Sequence, residues 1–143
     1  MKKIIFFCSI ILIIIATVWF NYINYKNNYN NILRENLEYE ELYEKQIYGT
    51  DLTTVINKVI NNNEKNNVEI TKEKKYINNN LNSINIDIKM VDIDSMYSME
   101  VLYNGGMEKF IEYYGNIQFK CTMIDYHKST GKVKYLRFEQ ISQ

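Results

Sequence analysis

Three side chains toward the C-terminal end have the types that nucleophilic catalysis uses: Cys121, Asp125 and His127. A thiolate activated by an imidazole, itself oriented by a third group, is the arrangement of a cysteine nucleophile. Strand alternation places Cys121 and Asp125 on one face and leaves His127 at the following turn, so spacing alone brings no hydrogen-bond contact. No loop with the character of an oxyanion hole accompanies them. Cys121 is read instead as a small buried hydrophobe, with an intermolecular disulfide or a reactive thiol as the alternative. Asp92 and Asp94 flank Ile93 at a strand end but lack the glycine and distal glutamate of a calcium loop. Ser129-Thr130-Gly131-Lys132 lacks the first glycine and the following helix of a phosphate loop, and is read as a hairpin turn. With one histidine and two cysteines, Cys8 and Cys121, the chain is poorly supplied for a metal or redox centre. No catalytic, cofactor-binding or metal-binding residue is assigned, and the chain is not read as an enzyme.

Charge is balanced in total and uneven in place. Seventeen basic residues meet seventeen acidic ones, so no net field favours nucleic acid. Lys120, Lys128, Lys132, Lys134 and Arg137 gather near the end, against Asp125 and Glu139. Glu35, Glu38, Glu40, Glu41 and Glu44 make an earlier segment acidic. This is either an ordinary solvated sheet face or a basis for attraction between the end of one copy and the acidic segment of another, or for contact with an anionic wall polymer.

The elements that must carry these residues follow from periodicity. Leu52, Val55, Ile56, Val59 and Ile60 recur at helical spacing and form a wide apolar face, with Thr50 or Asp51 as the expected cap. Ile84, Ile86, Ile88 and Met90 alternate with polar residues as a half-buried strand. Met99, Leu102, Tyr103, Gly106, Met107, Phe110, Ile111 and Tyr114 share one helical face. Ser98 is placed to cap that helix, Gly106 is placed for close packing on a sheet, and Gly115 closes the helix. The alternative is a strand at 97–103 turning at Asn104-Gly105. Ile117, Phe119, Cys121 and Met123 form a second strand, and 133–140 a third, with Leu136 and Phe138 opposite Tyr135 and Arg137. Asn78–Ser83 is turn chemistry. From Val68 onward the remainder is too small to build a core unaided, so the face from Leu52 to Ile60 is expected to complete it.

The start of the chain is of another kind. Lys2 and Lys3 precede an apolar run from Ile4 to Phe20, which Ile23 extends. Only Ser9, Thr17, Asn21 and Tyr22 interrupt it, and none is charged. About 20 such residues in a helix cross a ~30 Å hydrocarbon core, and Trp19, Phe20 and Tyr22 cluster at one end like an interfacial belt. Ala16-Thr17-Val18-Trp19 is a poor cleavage site, so the segment is expected to stay attached as a signal anchor. Lys2 and Lys3 lie before the span, Lys26 and Arg34 after it. The rule that positive charge stays inside leans toward a cytoplasmic N-terminus and an external C-terminal part. Residues 21–46 are polar, free of Pro and Gly, and read as a helical stalk, with a loose tether as the alternative because the Asn-rich start is a poor helix former. Ile, Asn, Lys and Tyr number 22, 20, 15 and 13, about half the chain. This bias makes Asn runs weak evidence of function.

The apolar helix, stalk and small sheet resemble the organisation of type IV pilins and pseudopilins. Those families carry a glycine before the processed site and a glutamate five residues after it, whereas here no glycine precedes Gly49 and no acid precedes Glu35. The blocks Tyr48-Gly49-Thr50-Asp51-Leu52 through Ile56-Asn57-Lys58, and Met107-Glu108-Lys109-Phe110 through Phe119-Lys120-Cys121-Thr122 to Tyr126-His127, are similar to a family of small uncharacterised membrane-anchored proteins of clostridia. That resemblance covers about residues 45–140 and implies a membrane home and a topology, with no activity attached.

The expected architecture is α+β: a transmembrane anchor (1–23), a helical stalk (24–47), and an extracytoplasmic head (48–143) made of a small antiparallel sheet with one packed helix. The expected partners are the lipid bilayer through residues 4–23 and, by self-association, a further copy or another membrane protein, with no nucleic acid and no cofactor. A structural or assembly role is the leading reading. A membrane-tethered binding module for a wall polymer or protein is the alternative, to be favoured by an exposed aromatic patch among Tyr97, Tyr103, Tyr113 and Tyr135.

Overall fold

The first 39-residue stretch is one unbroken helix, α1 (Lys2–Glu40). The computed structural model describes residues 2–141, with side chains from Lys3 onward. The Lys2 side chain, on which part of the topology argument rests, and residues 142–143 at the end of the head lie outside the described set. The remaining elements are β1 (Gln46–Tyr48), α2 (Gly49–Lys65), β2 (Asn85–Met90), β3 (Ser95–Ser98), α3 (Met99–Gly105), α4 (Met107–Tyr114), β4 (Gln118–Tyr126) and β5 (Val133–Gln140). The chain divides into two compact units, Met1–Glu35 and Asn36–Gln143. Residues 36–47, read from sequence as the end of the stalk, therefore belong with the head.

In the first unit every described side chain from Lys3 to Asn31 is exposed. The two hydroxyls between Ile4 and Phe20 are satisfied within the helix. Ser9 Oγ donates to the Phe6 carbonyl and Thr17 Oγ1 to the Ile14 carbonyl, both at 2.8 Å. Such back-bonding removes the cost of a bare hydroxyl in an apolar surrounding. The helix is long and apolar enough to cross a membrane.

The second unit is an α+β fold on a five-stranded sheet of order β1-β4-β5-β2-β3. The sheet is mixed rather than antiparallel throughout. β4 pairs with β5, β1 with β4 and β3 with β2 in antiparallel fashion, while β2 and β5 run parallel, Ile86 opposite Leu136 and Ile88 opposite Phe138. A parallel neighbour requires a long crossover, and α3 and α4 lie within the one that joins β2–β3 to β4–β5. One sheet face carries Ile86, Ile88, Phe119, Cys121, Leu136 and Phe138, all fully buried. Leu52, Ile56, Val59 and Ile60 of α2 complete that core, as their spacing predicts.

The helix predicted over 99–114 is two helices. Gly106 adopts φ 95°, a left-handed value that no right-handed helix contains, and the chain breaks there. A Cβ on Gly106 would meet nothing within 4 Å, so its role is the break and not close packing. Met99 and Phe110 are buried, Leu102 and Met107 half-buried, and Ile111 is 40% exposed. Strand β3 occupies 95–98, so the alternative of a strand here holds for its first residues only. Gly49 is the glycine that permits close approach. A Cβ there would overlap the Tyr114 carbonyl oxygen. Its N–H donates to the Ile117 carbonyl (2.9 Å), and that of Thr50 to the Gly115 carbonyl (3.2 Å). Two of the free N–H groups at the start of α2 are thus satisfied by backbone, and neither Thr50 nor Asp51 serves as the cap. Ser98 does precede α3 in the N-cap position, but its hydroxyl makes no cap bond.

Candidate functional site

The Cys121, Asp125 and His127 set does not assemble. A β-bulge at Thr122 shifts the register so that Cys121 faces Phe138 while Met123 faces Arg137. One extra residue in one strand inverts the side-chain parity beyond it. Cys121 and Ile124 therefore point to the core, and Met123 and Asp125 point outward, opposite to plain alternation. The Cys121 sulfhydryl is fully buried and points at the Met123 carbonyl at 3.7 Å. Burial pushes its pKa up to about 11, and a thiol so protonated is a poor nucleophile. Asp125 is exposed and pairs with Lys134 at 2.8 Å, which with the Tyr126 N–H holds its carboxyl below the usual range. His127 is 3% exposed and its Nε2 lies 2.7 Å from the Ser83 carbonyl, so the ring joins the β4–β5 loop to the segment before β2.

The other sequence candidates are likewise engaged in the fold. Asp92 accepts from the Gln140 amide, whose Oε1 in turn accepts the Val91 N–H at 3.0 Å. The pair ties the β2–β3 turn to the end of β5. In the turn at 129–132, Ser129 Oγ donates to the Asn80 carbonyl and Thr130 Oγ1 to the Leu81 carbonyl (2.8 Å). No group of three or more potential metal ligands occurs among the described residues.

The acidic and basic sets meet inside one chain at Glu44 and Lys120, and two further glutamates of the acidic set have other partners. Glu38 pairs with Lys58, Glu44 with Lys120, and Glu40 accepts from the Tyr126 hydroxyl at 2.9 Å. Burial first, and then Glu40, push the Tyr126 pKa to about 12. On the outer sheet face Tyr135 donates to Asp87 at 2.9 Å, and Arg137 Nε donates to the Tyr135 hydroxyl at 3.3 Å. The four tyrosines do not make one patch. Tyr97 sits opposite core-facing Ile88, Tyr135 lies on the other face, and Tyr103 and Tyr113 lie on α3 and α4.

Two side chains that no motif signals hold the head together. Asn63 of α2 is fully buried; its Nδ2 donates to the Ile84 carbonyl (2.7 Å) and its Oδ1 accepts the Ile84 N–H (2.9 Å). Asn36 donates to the Gly131 carbonyl (2.7 Å) and accepts from the Val133 N–H (3.0 Å). Each amide takes the place of a neighbouring strand. Their only sequence signal is an Asn on the apolar side of a helix, which the Asn-rich composition conceals.

Two depressions adjoin this region and share Tyr126. One, of about 410 Å³, is lined by Glu40, Tyr43, Met123 and Ile124. The other, about 590 Å³, is lined by Asn78, Asn79, Asn80, His127, Lys128 and Ser129 among others. The second offers three Asn amides, the Tyr126 and Ser129 hydroxyls, the Lys128 and Lys134 ammoniums and the Asp125 carboxylate, and it brings Asp125 and His127, though not Cys121, to one lining. No family model, curated protein or solved structure matches the chain. What the fold and site define is an α+β unit following a long apolar helix.

Proposed function

We propose that this is a single-pass membrane-anchored protein with a structural or assembly role and no catalytic activity, its N-terminus cytoplasmic and its head outside the cell. The observation that carries the reading is the apolar run of α1, exposed on every side with its two hydroxyls bonded internally. In water such a surface is costly; in a bilayer it is the solvated state. The orientation is supported by Lys2 and Lys3 before the span, against Lys26 and Arg34 after it. A non-catalytic role is supported by the buried Cys121 thiol and by the His127 ring bonded to Ser83. The order of apolar helix, stalk and small sheet resembles that of pilins, and without the processing motif the assembly would proceed from an unprocessed anchor.

The test is protease treatment of intact cells stripped of their wall, with a tag after Gln143, joined to N-terminal sequencing of the membrane fraction. Loss of the tag with a surviving cytoplasmic control, and an uncut start, are expected. A tag cut only on lysis overturns the topology, and a mature start near residues 17–25 overturns the anchor.

The amide-lined depression at Asn78–Asn80 favours a second reading, a tethered module that binds a polar polymer. Isothermal titration of the head with wall saccharide decides it: heat that vanishes on replacing Asn80 and Lys128 supports binding, and no heat removes it.

A further inference from the structure

Between the apolar run and the head, residues 24–35 of α1 are polar with four exceptions: Tyr25, Tyr29, Ile32 and Leu33. Tyr25 is 70% exposed and Tyr29 52%, and every described side chain up to Asn31 is exposed. Three of the four fall on one stripe. With Tyr22, the residues Tyr25, Tyr29 and Ile32 are spaced alternately three and four apart, the repeat of a coiled-coil seam. Continued toward the N-terminus, the same repeat passes through Val18, Ile15, Ile11 and Cys8. Continued the other way, it reaches Asn36 and Tyr39, which are already buried in the head. The free seam thus ends at Ile32.

We propose that this stripe is the contact between two parallel copies of the chain, packed from within the bilayer through Ile32. The proposal rests on the membrane-anchor reading, and three observations favour a second copy as the occupant. The anchor would hold copies side by side in one orientation, as a parallel pair requires. The positions flanking the seam place Lys26 of one helix across from Asn21 of the other, so no like charges oppose. Asn24, Asn27, Asn28, Asn30 and Asn31 are poor helix formers, and a helix of this composition gains its stability from packing. A headgroup belt alone would not confine the tyrosines to one stripe.

Full-length chains with Cys8→Ser and one new cysteine each, at Tyr25, Tyr29, Asn27 or Asn31, are oxidised in native membranes and run without reductant. Cys121 stays in place, since it is buried. The same membranes are extracted with alkali and sequenced from the N-terminus, which tests the anchor separately. Expected is an embedded, uncut chain with dimer several-fold more abundant at 25 and 29 than at 27 and 31. The unsubstituted chain is also treated with a membrane-permeant oxidant, where a Cys8–Cys8 dimer is expected, so the result does not depend on replacing tyrosine. An embedded, uncut chain with no dimer, or equal dimer at all four positions, overturns the seam and leaves the anchor. Adducts of another mass overturn self-pairing in favour of a different partner. A chain recovered uncut in the soluble fraction, or cut after the apolar run, overturns the anchor and the seam with it.

Discussion

The side-chain amide of Asn63 closes a two-way hydrogen-bonded pair with the peptide of Ile84, as a neighbouring strand would. The pair lies just before β2, and both partners are buried. A small side chain at 63 would strand one donor and one acceptor together. Replacing Asn63 by Ala is expected to cost about 2–4 kcal/mol, the sum of two unsatisfied buried groups. Urea denaturation of the head, residues 36–143, checks it; a loss below ~1 kcal/mol would show that water replaces the amide.

Phe110 is expected to be a principal anchor of α4. It is 6% exposed, with its ring 5.4 Å from Tyr114 and 5.8 Å from Phe119. Phe110→Ala should cost roughly 3–5 kcal/mol in the same denaturation experiment. Ile111→Ala, on the exposed side, should cost far less.

Two glycines should respond in opposite senses. Gly49→Ala forces a methyl against the Tyr114 carbonyl and is expected to lose about 1–3 kcal/mol or more, as overpacking does. Gly105, with open space around it and no left-handed φ, should accept Ala with a gain of roughly 0.4–1 kcal/mol. Thermal melts of the two variants read both.

Stability should fall in alkali. The Cys121 thiol has a folded pKa near 11 against 9.0 when free, so between these values the unfolded state has released a proton that the folded state retains. Ionisation then favours unfolding, and stability declines from about pH 9 to about pH 11. Burial raises Tyr126 and Tyr135 as well, which adds to the decline. Cys121→Ala should flatten the lower part of that slope in denaturation series against pH. Thiol reagents at neutral pH should label Cys121 only on unfolding.

Elements with a sustained period were legible in the sequence. The helix around Leu52–Ile60 and the strands at 84–90 and 133–140 each repeat their apolar residues often enough to define a face. Strand β1 has three residues and no period to read. The inversion after Thr122 depends on pairing with β5, a partner remote in sequence, and the side chains of 117–125 hold no sign of it. Gly106 was visible as a glycine, but whether it packs or breaks depends on φ. Of the candidate site, the burial of Cys121 was readable from its neighbours. The bond from His127 to Ser83 spans 44 positions, and the Asn36 clamp spans 95 and 97, so neither leaves a local trace.

The two outermost strands of the sheet, β1 and β3, have only three and four residues. Tethered proteins meet one another in two dimensions at high local concentration, where an open strand edge invites edge-to-edge zippering and aggregation. β1 covers only residues 118–120 of the nine-residue β4, so the edge a neighbour would meet on that side is 122–126, where the Tyr126 hydroxyl is already bonded to Glu40 of α1. If α1 holds heads side by side in a bilayer, it is this stretch of β4, and not the two short strands, that must be kept from pairing with a neighbour.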